Sequence, residues 1–136
     1  MKNKKQIIDK KGDLAKDHEL SIAVMNLISI EEHLAFTISK CRKKEYIDIY
    51  NEIRKIRSKY LAKLVKNKDG EMWCISKHLL ATAMRLFETG IKYAGDNQKD
   101  EAMEYFNDAI ETYQLFWLIQ KMSEENGNDG HTKKEN

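Results

Sequence analysis

No proline interrupts this chain of 136 residues, and glycine is scarce, with six in all. Proline and glycine are the strongest local breaks in helical structure. Only Gly90 falls inside an apolar run, so long helices are expected. Cysteine occurs twice, with no paired spacing of the kind that marks a disulfide framework, a zinc ribbon or a redox motif. No run approaches the roughly 18 apolar residues of a membrane span. The opening MKNKKQIIDKKGD lacks the apolar core of a signal peptide, so a cytoplasmic location and no membrane partner are expected. No glycine-rich phosphate loop and no Ser/His/Asp arrangement is legible. No cofactor is therefore expected, and a non-catalytic role is favoured over an enzyme.

An excess of one charge is also missing. The formal net charge is +2, too small to imply nucleic acid, although charged residues make up 34% against roughly 25% in ordinary soluble domains. Their distribution is uneven. Lys40 to Lys68 holds eleven Lys or Arg against Glu45, Asp48 and Glu52, whereas Asp96 to Glu125 holds eight Asp or Glu against Lys99 and Lys121. Apolar residues, at 41%, suffice for one domain with a real core. The lysine- and isoleucine-rich composition is like that of many small prokaryotic proteins.

Four segments repeat apolar residues at three and four, the spacing of one helical face. The first runs from about Asp13, a candidate N-cap, to Cys41, with Leu20, Ala23, Val24, Leu27, Ile28, Leu34, Ala35 and Ile38 as its stripe. The second runs from about Lys44 to Val65, striped by Tyr46, Ile49, Tyr50, Ile53, Ile56, Tyr60, Leu61 and Leu64. The third, Glu71 to Ala94, is apolar over most of its circumference and is expected to be the most buried, with Gly95 as its C-cap. The fourth is capped by Asp96 or Asn97 and runs to about Glu125, with Ala102, Tyr105, Phe106, Ala109, Ile110, Tyr113, Phe116 and Trp117 inward. Short connections force antiparallel neighbours, so the fold expected is an all-α, up-down-up-down antiparallel four-helix bundle over 13–125. A basic extension would precede it at 1–12, and a disordered tail would follow at 126–136. In such a bundle Cys41 and Cys74 stand at opposite ends, roughly 30 Å apart at about 1.5 Å per residue.

The stretch GDNQKDEAMEYFNDAIETYQLF resembles the second helix of a tetratricopeptide or microtubule-interacting-and-trafficking hairpin. The likeness rests on a Gly-Asp turn followed by Ala102, Phe106, Ala109 and Ile110 at helical spacing. It covers under a fifth of the chain and occurs once, and no functional residue is carried over from it.

Two charges sit inside apolar stripes. Glu31 lies among Leu27, Ile28, Leu34 and Ala35, and Arg57 among Ile53, Tyr60, Leu61 and Leu64. A hairpin centred near residue 44 brings them to one level. An unpaired buried charge costs several kcal/mol, so a buried ion pair is expected, either as a structural register pin or as a charged ligand pocket. Cys74 and His78, four apart on the polar arc of helix 3 with Arg85, Glu88 and Lys92, are weak metal candidates. A third ligand would have to come from another helix, where His18 is the one histidine at hand. No metal is expected. Glu31-Glu32-His33 does not fit the Glu-x-x-His pattern of di-iron bundles.

Two surfaces remain. Lys55, Lys59, Lys63 and Lys66 recur on the outward side of helix 2, a candidate nucleic-acid contact. Leu115, Leu118, Ile119 and Met122 lie away from the core stripe of helix 4, with Trp117 beside them, and Ile22, Met25 and Phe36 form a smaller outer patch on helix 1. Exposed apolar patches usually mark interfaces. The reading that follows is a non-catalytic interaction or assembly protein acting through helix 4, as a homodimer or with another protein. The alternatives are a nucleic-acid accessory protein using helix 2, and a bundle that binds a metal or small ligand.

Overall fold

The computed structural model describes the backbone of residues 4–134 and the side chains of residues 13–125; the side chains of the basic extension expected at 1–12 and of the tail expected at 126–136 lie outside the described residues. Four helices follow in order: α1 (Lys4–Cys41), α2 (Glu45–Leu64), α3 (Gly70–Gly95) and α4 (Lys99–Lys134). With no strand among the described residues, the chain has the all-α, four-helix class expected. It divides into two compact units, Met1–Tyr60 and Leu61–Asn136.

In the first unit α1 and most of α2 form a hairpin about residues 42–44. α1 begins well before Asp13, which is an interior helical residue and not a cap. Without proline, nothing in the preceding segment obliges the helix to start later. α1 ends in a left-handed residue, Arg42 (φ 56°), whose N–H donates to the Ile38 carbonyl at 2.9 Å. That is the single-bond C-cap usually built with glycine. Glu45 and Asp48 occupy the first turn of α2, where the helix dipole favours acids. The buried apolar set is small: Val24, Met25 and Ile28. Met25 therefore belongs to the interior and not to the outer patch with Ile22 and Phe36, both of which are exposed. Ala23, Ala35, Ile49 and Ile56, expected inside, are exposed. The buried seam is narrower than a full amphipathic stripe, and these residues fall on its margins.

The second unit contains the end of α2, with Leu61, Leu64 and Val65 buried, and the α3–α4 hairpin. Between α2 and α3 the chain is stapled by polar groups. Lys68 Nζ donates to the Val65 carbonyl at 3.1 Å, and Asn67 Oδ1 accepts from the Asp69 N–H. Asp69 is the N-cap of α3, accepting from the Met72 N–H at 2.9 Å. At the far end of α3, Gly95 is not the left-handed residue; Asn97 is, at φ 60°. The Asn97 N–H donates to the Ala94 carbonyl and that of Gln98 to Tyr93, which is the Schellman pattern. Asp96 and Asn97 thus finish α3 and do not cap α4, whose first turn carries Asp100 and Glu101.

Both helices of this hairpin bury a line of residues seven apart. On α3 these are Ser76, Ala83 and Gly90; on α4 they are Ala102, Ala109, Phe116 and Ser123. Six of the seven are small, a composition that lets two backbones come close. At Gly90 the approach is tightest, because an added Cβ would stand 2.7 Å from the Phe106 ring and 3.2 Å from Tyr105 Cβ. Phe87 and Phe106 pack at 6.4 Å, and Tyr93 and Tyr105 stack at 5.0 Å. A hydrogen bond with Tyr93 holds the Tyr105 hydroxyl above the ordinary tyrosine pKa. Ile75 and Ile91, expected in the interior, are exposed because Leu80 and the small residues take the seam.

Two outcomes follow. Gly→Ala inside an exposed helix would gain up to about 1 kcal/mol. Gly90→Ala should instead lose roughly 1–3 kcal/mol through overpacking, read as a lower urea midpoint. Arg42→Gly relieves a left-handed side chain and should gain about 0.5–1 kcal/mol in the same assay.

Candidate functional site

The structure brings Glu31 and Arg57 together. Arg57 Nε donates to Glu31 Oε1 at 2.6 Å and Nη2 donates to Oε2 at 3.2 Å. Nη1 donates to Ser58 Oγ at 3.2 Å. The guanidinium thus uses all three nitrogens, in the two-pronged geometry that gives arginine–carboxylate pairs their directionality. Both residues are buried, at 8% and 4% exposure. Such a pair is expensive to desolvate and more expensive to break. With every nitrogen of the guanidinium engaged, this is a closed structural contact and not an open charged pocket.

A second buried polar contact had no sequence expectation attached to it. Gln120, on α4, donates from Nε2 to Ser76 Oγ on α3 at 2.8 Å and accepts the Lys66 N–H at Oε1, 3.1 Å. One amide side chain thereby ties the segment after α2 to both helices of the second unit. Its sequence signal was slight. Gln120 lies four beyond Phe116 and three before Ser123, both on the buried face.

The apolar residues expected on the outside of α4 divide. Leu115, Leu118 and Met122 are 43, 49 and 50% exposed. Spaced by three and four, they form one continuous strip. Ile119 is half-buried at its edge. Trp117 is also half-buried, and its ring packs edge-on to Phe116 at 4.9 Å and to Tyr113 at 6.0 Å. It is less exposed than the three residues of the strip.

The basic residues of α2 lie on its outer side. Lys55, Lys59, Lys63 and, just past the helix, Lys66 are exposed. Lys55 pairs with Glu52 at 3.2 Å, and Lys59 lies over the Tyr60 ring at 5.3 Å. Lys55 and Lys59, with Asn51, Arg54 and Ser58, line an open depression of about 680 Å³. Cys74 and His78 are both exposed, and no group of three metal-ligating side chains occurs among the described residues. Cys41 and Cys74 are free thiols. Contrary to the expectation that no run approaches a membrane span, the Asp13–Cys41 stretch of α1 is long and apolar enough to cross one, as core helices of soluble proteins and signal sequences also are.

The ion pair has a measurable signature. Glu31→Leu leaves Arg57 buried without its carboxylate and should cost about 3–5 kcal/mol. Adding Arg57→Leu removes the orphaned charge and should recover most of that loss in chemical denaturation. A double variant no more stable than the single would show that the two side chains do not act as a pair.

Comparison with protein-family models, with curated proteins and with solved structures gives no match to this chain.

Proposed function

We propose that this protein is a non-catalytic assembly module, and that it self-associates through the outer face of α4. One observation supports the reading above others: Leu115, Leu118 and Met122 form a continuous apolar strip open to solvent. Single exposed apolar residues are common on soluble proteins and need no explanation. Three in register on one helix are a surface suited to contact. A second copy is the simplest occupant, because identical chains assemble most often as closed dimers. A metal-dependent role finds less support, since Cys74 and His78 supply two exposed donors and no group of three occurs among the described residues.

Sedimentation velocity across a concentration series tests this. The protein should pass from monomer to dimer as concentration rises. Leu118→Glu forces a charge into the contact and should weaken association by roughly tenfold to a hundredfold, with helical content unchanged. A chain that stays monomeric at every concentration would overturn the proposal.

A further inference from the structure

The depression on α2 is more than a row of lysines. Its lining residues, Asn51, Arg54, Lys55, Ser58 and Lys59, are spaced by three and four, so they share one face over two turns. All five can donate a hydrogen bond and none is acidic. The space they line, about 680 Å³, falls within the range of small-ligand sites.

The hydroxyl among them is held from below. Ser58 Oγ accepts from Arg57 Nη1 at 3.2 Å, and Arg57 is itself fixed by two bonds to Glu31. A hydroxyl that accepts from a guanidinium keeps its own hydrogen for another acceptor. The cations are open to a ligand. Arg54 is exposed and in no ion pair among the described residues. Lys55 meets Glu52 at 3.2 Å, but these side chains are 75 and 68% exposed, and contacts of that kind are weak enough for a stronger anion to displace. Lys59 lies over the Tyr60 ring and is exposed.

Carboxylates limit what fits. Asp48 stands one turn before Asn51, with Glu45 one turn before that, and both are exposed. A long polyanion laid along α2 would meet them on that side, whereas a compact one would not. Lys63 and Lys66 continue the basic row the other way but do not line the depression. Phosphoryl groups suit the donors that remain, because each offers several acceptor oxygens and arginine can take two at once. Arg54 to Lys59 is about 7.5 Å of helix at about 1.5 Å per residue, enough to contact two linked phosphoryl groups.

We infer that this face of α2 binds a compact phosphorylated anion. Arg54, Lys55 and Lys59 supply the charge, and Asn51 and Ser58 supply neutral donors that orient it. The inference is independent of the assembly reading, since it holds whether or not α4 is covered.

Titration of the isotope-labelled full chain with inorganic pyrophosphate, followed through its amide resonances, tests it. The salt is kept at about 0.1 M, where charges more than about 10 Å apart are screened. Resonances of residues 51–59 should shift and saturate. Arg54→Gln with Lys59→Gln should weaken binding by roughly tenfold or more, and Ser58→Ala by roughly threefold to tenfold. Lys40→Gln with Lys43→Gln removes the same charge at the α1–α2 turn and should leave the affinity within about twofold. The dispersion of each spectrum shows that the variant is folded. If the two charge-matched pairs weaken binding equally, net charge alone attracts the anion and the inference falls. It falls also if no resonance of 51–59 moves at millimolar pyrophosphate. If a single-stranded oligonucleotide binds more tightly and carries the shifts through Lys63 and Lys66, the face serves nucleic acid and the inference is overturned.

Discussion

A carboxylate and a guanidinium withdrawn from water must each be answered, and only one register of α1 against α2 answers both. Glu31 and Arg57 sum to a hairpin centre at residue 44, and the turn lies at 42–44. The apolar interior of the first unit is thin, with Val24, Met25 and Ile28 buried. Methyl groups in so small a seam discriminate weakly between one register and another a turn away, because aliphatic contacts are non-directional. The two-pronged ion pair is directional. Its net contribution to stability is small beside a well-packed apolar replacement, but a slip of one turn would leave two buried charges unsatisfied. The pair acts as a pin more than as glue.

The second unit is held by the opposite device. Its seam consists largely of side chains with little bulk, and the specificity lies in how closely the backbones approach. Gly90 faces the Phe106 ring at a distance that leaves no room for a methyl group, so the hairpin's register is set by where glycine stands. Gln120 adds a polar check at the other end, bonding Ser76 and the Lys66 N–H at once. Left-handed Arg42 and Asn97 end the first helix of each hairpin, where glycine would be the easier choice. The glycine at position 95 stands two residues before the left-handed position.

What the sequence disclosed and what it hid follow from the range of each interaction. Four helices were legible because apolar periodicity is a local property, undisturbed here by proline. Glu31 and Arg57 could be matched because each charge interrupts an otherwise apolar stripe and one short turn relates them. Gln120 could not, since its partners lie 44 and 54 residues away and an amide at the edge of a stripe reads as surface. The caps at Asp13 and Gly95 were misplaced because capping residues say where a helix can end, not where it does. Met25 was assigned to the outside and Ile49 and Ile56 to the inside for a single reason. The buried seam of a hairpin is narrower than the hundred-degree stripe of a generic amphipathic helix, and residues at its margins are decided by packing that periodicity does not see.

That narrowness also explains the outer surfaces. A helix whose sequence offers a broad apolar face but whose own partner covers a slender one must leave apolar residues in water. On α1 the leftovers are Leu14, Ile22, Ile30 and Phe36, and exposed apolar residues of this kind are ordinary. On α2 they are Ile47, Ile49 and Ile56, and on α4 Met103 and Ile110 stand apart from the strip of Leu115, Leu118 and Met122. Spillover from a narrow seam accounts for single exposed residues such as Ile47 and Ile110. Three at spacings of three and four on α4 are a different matter, because they present one unbroken apolar surface to water.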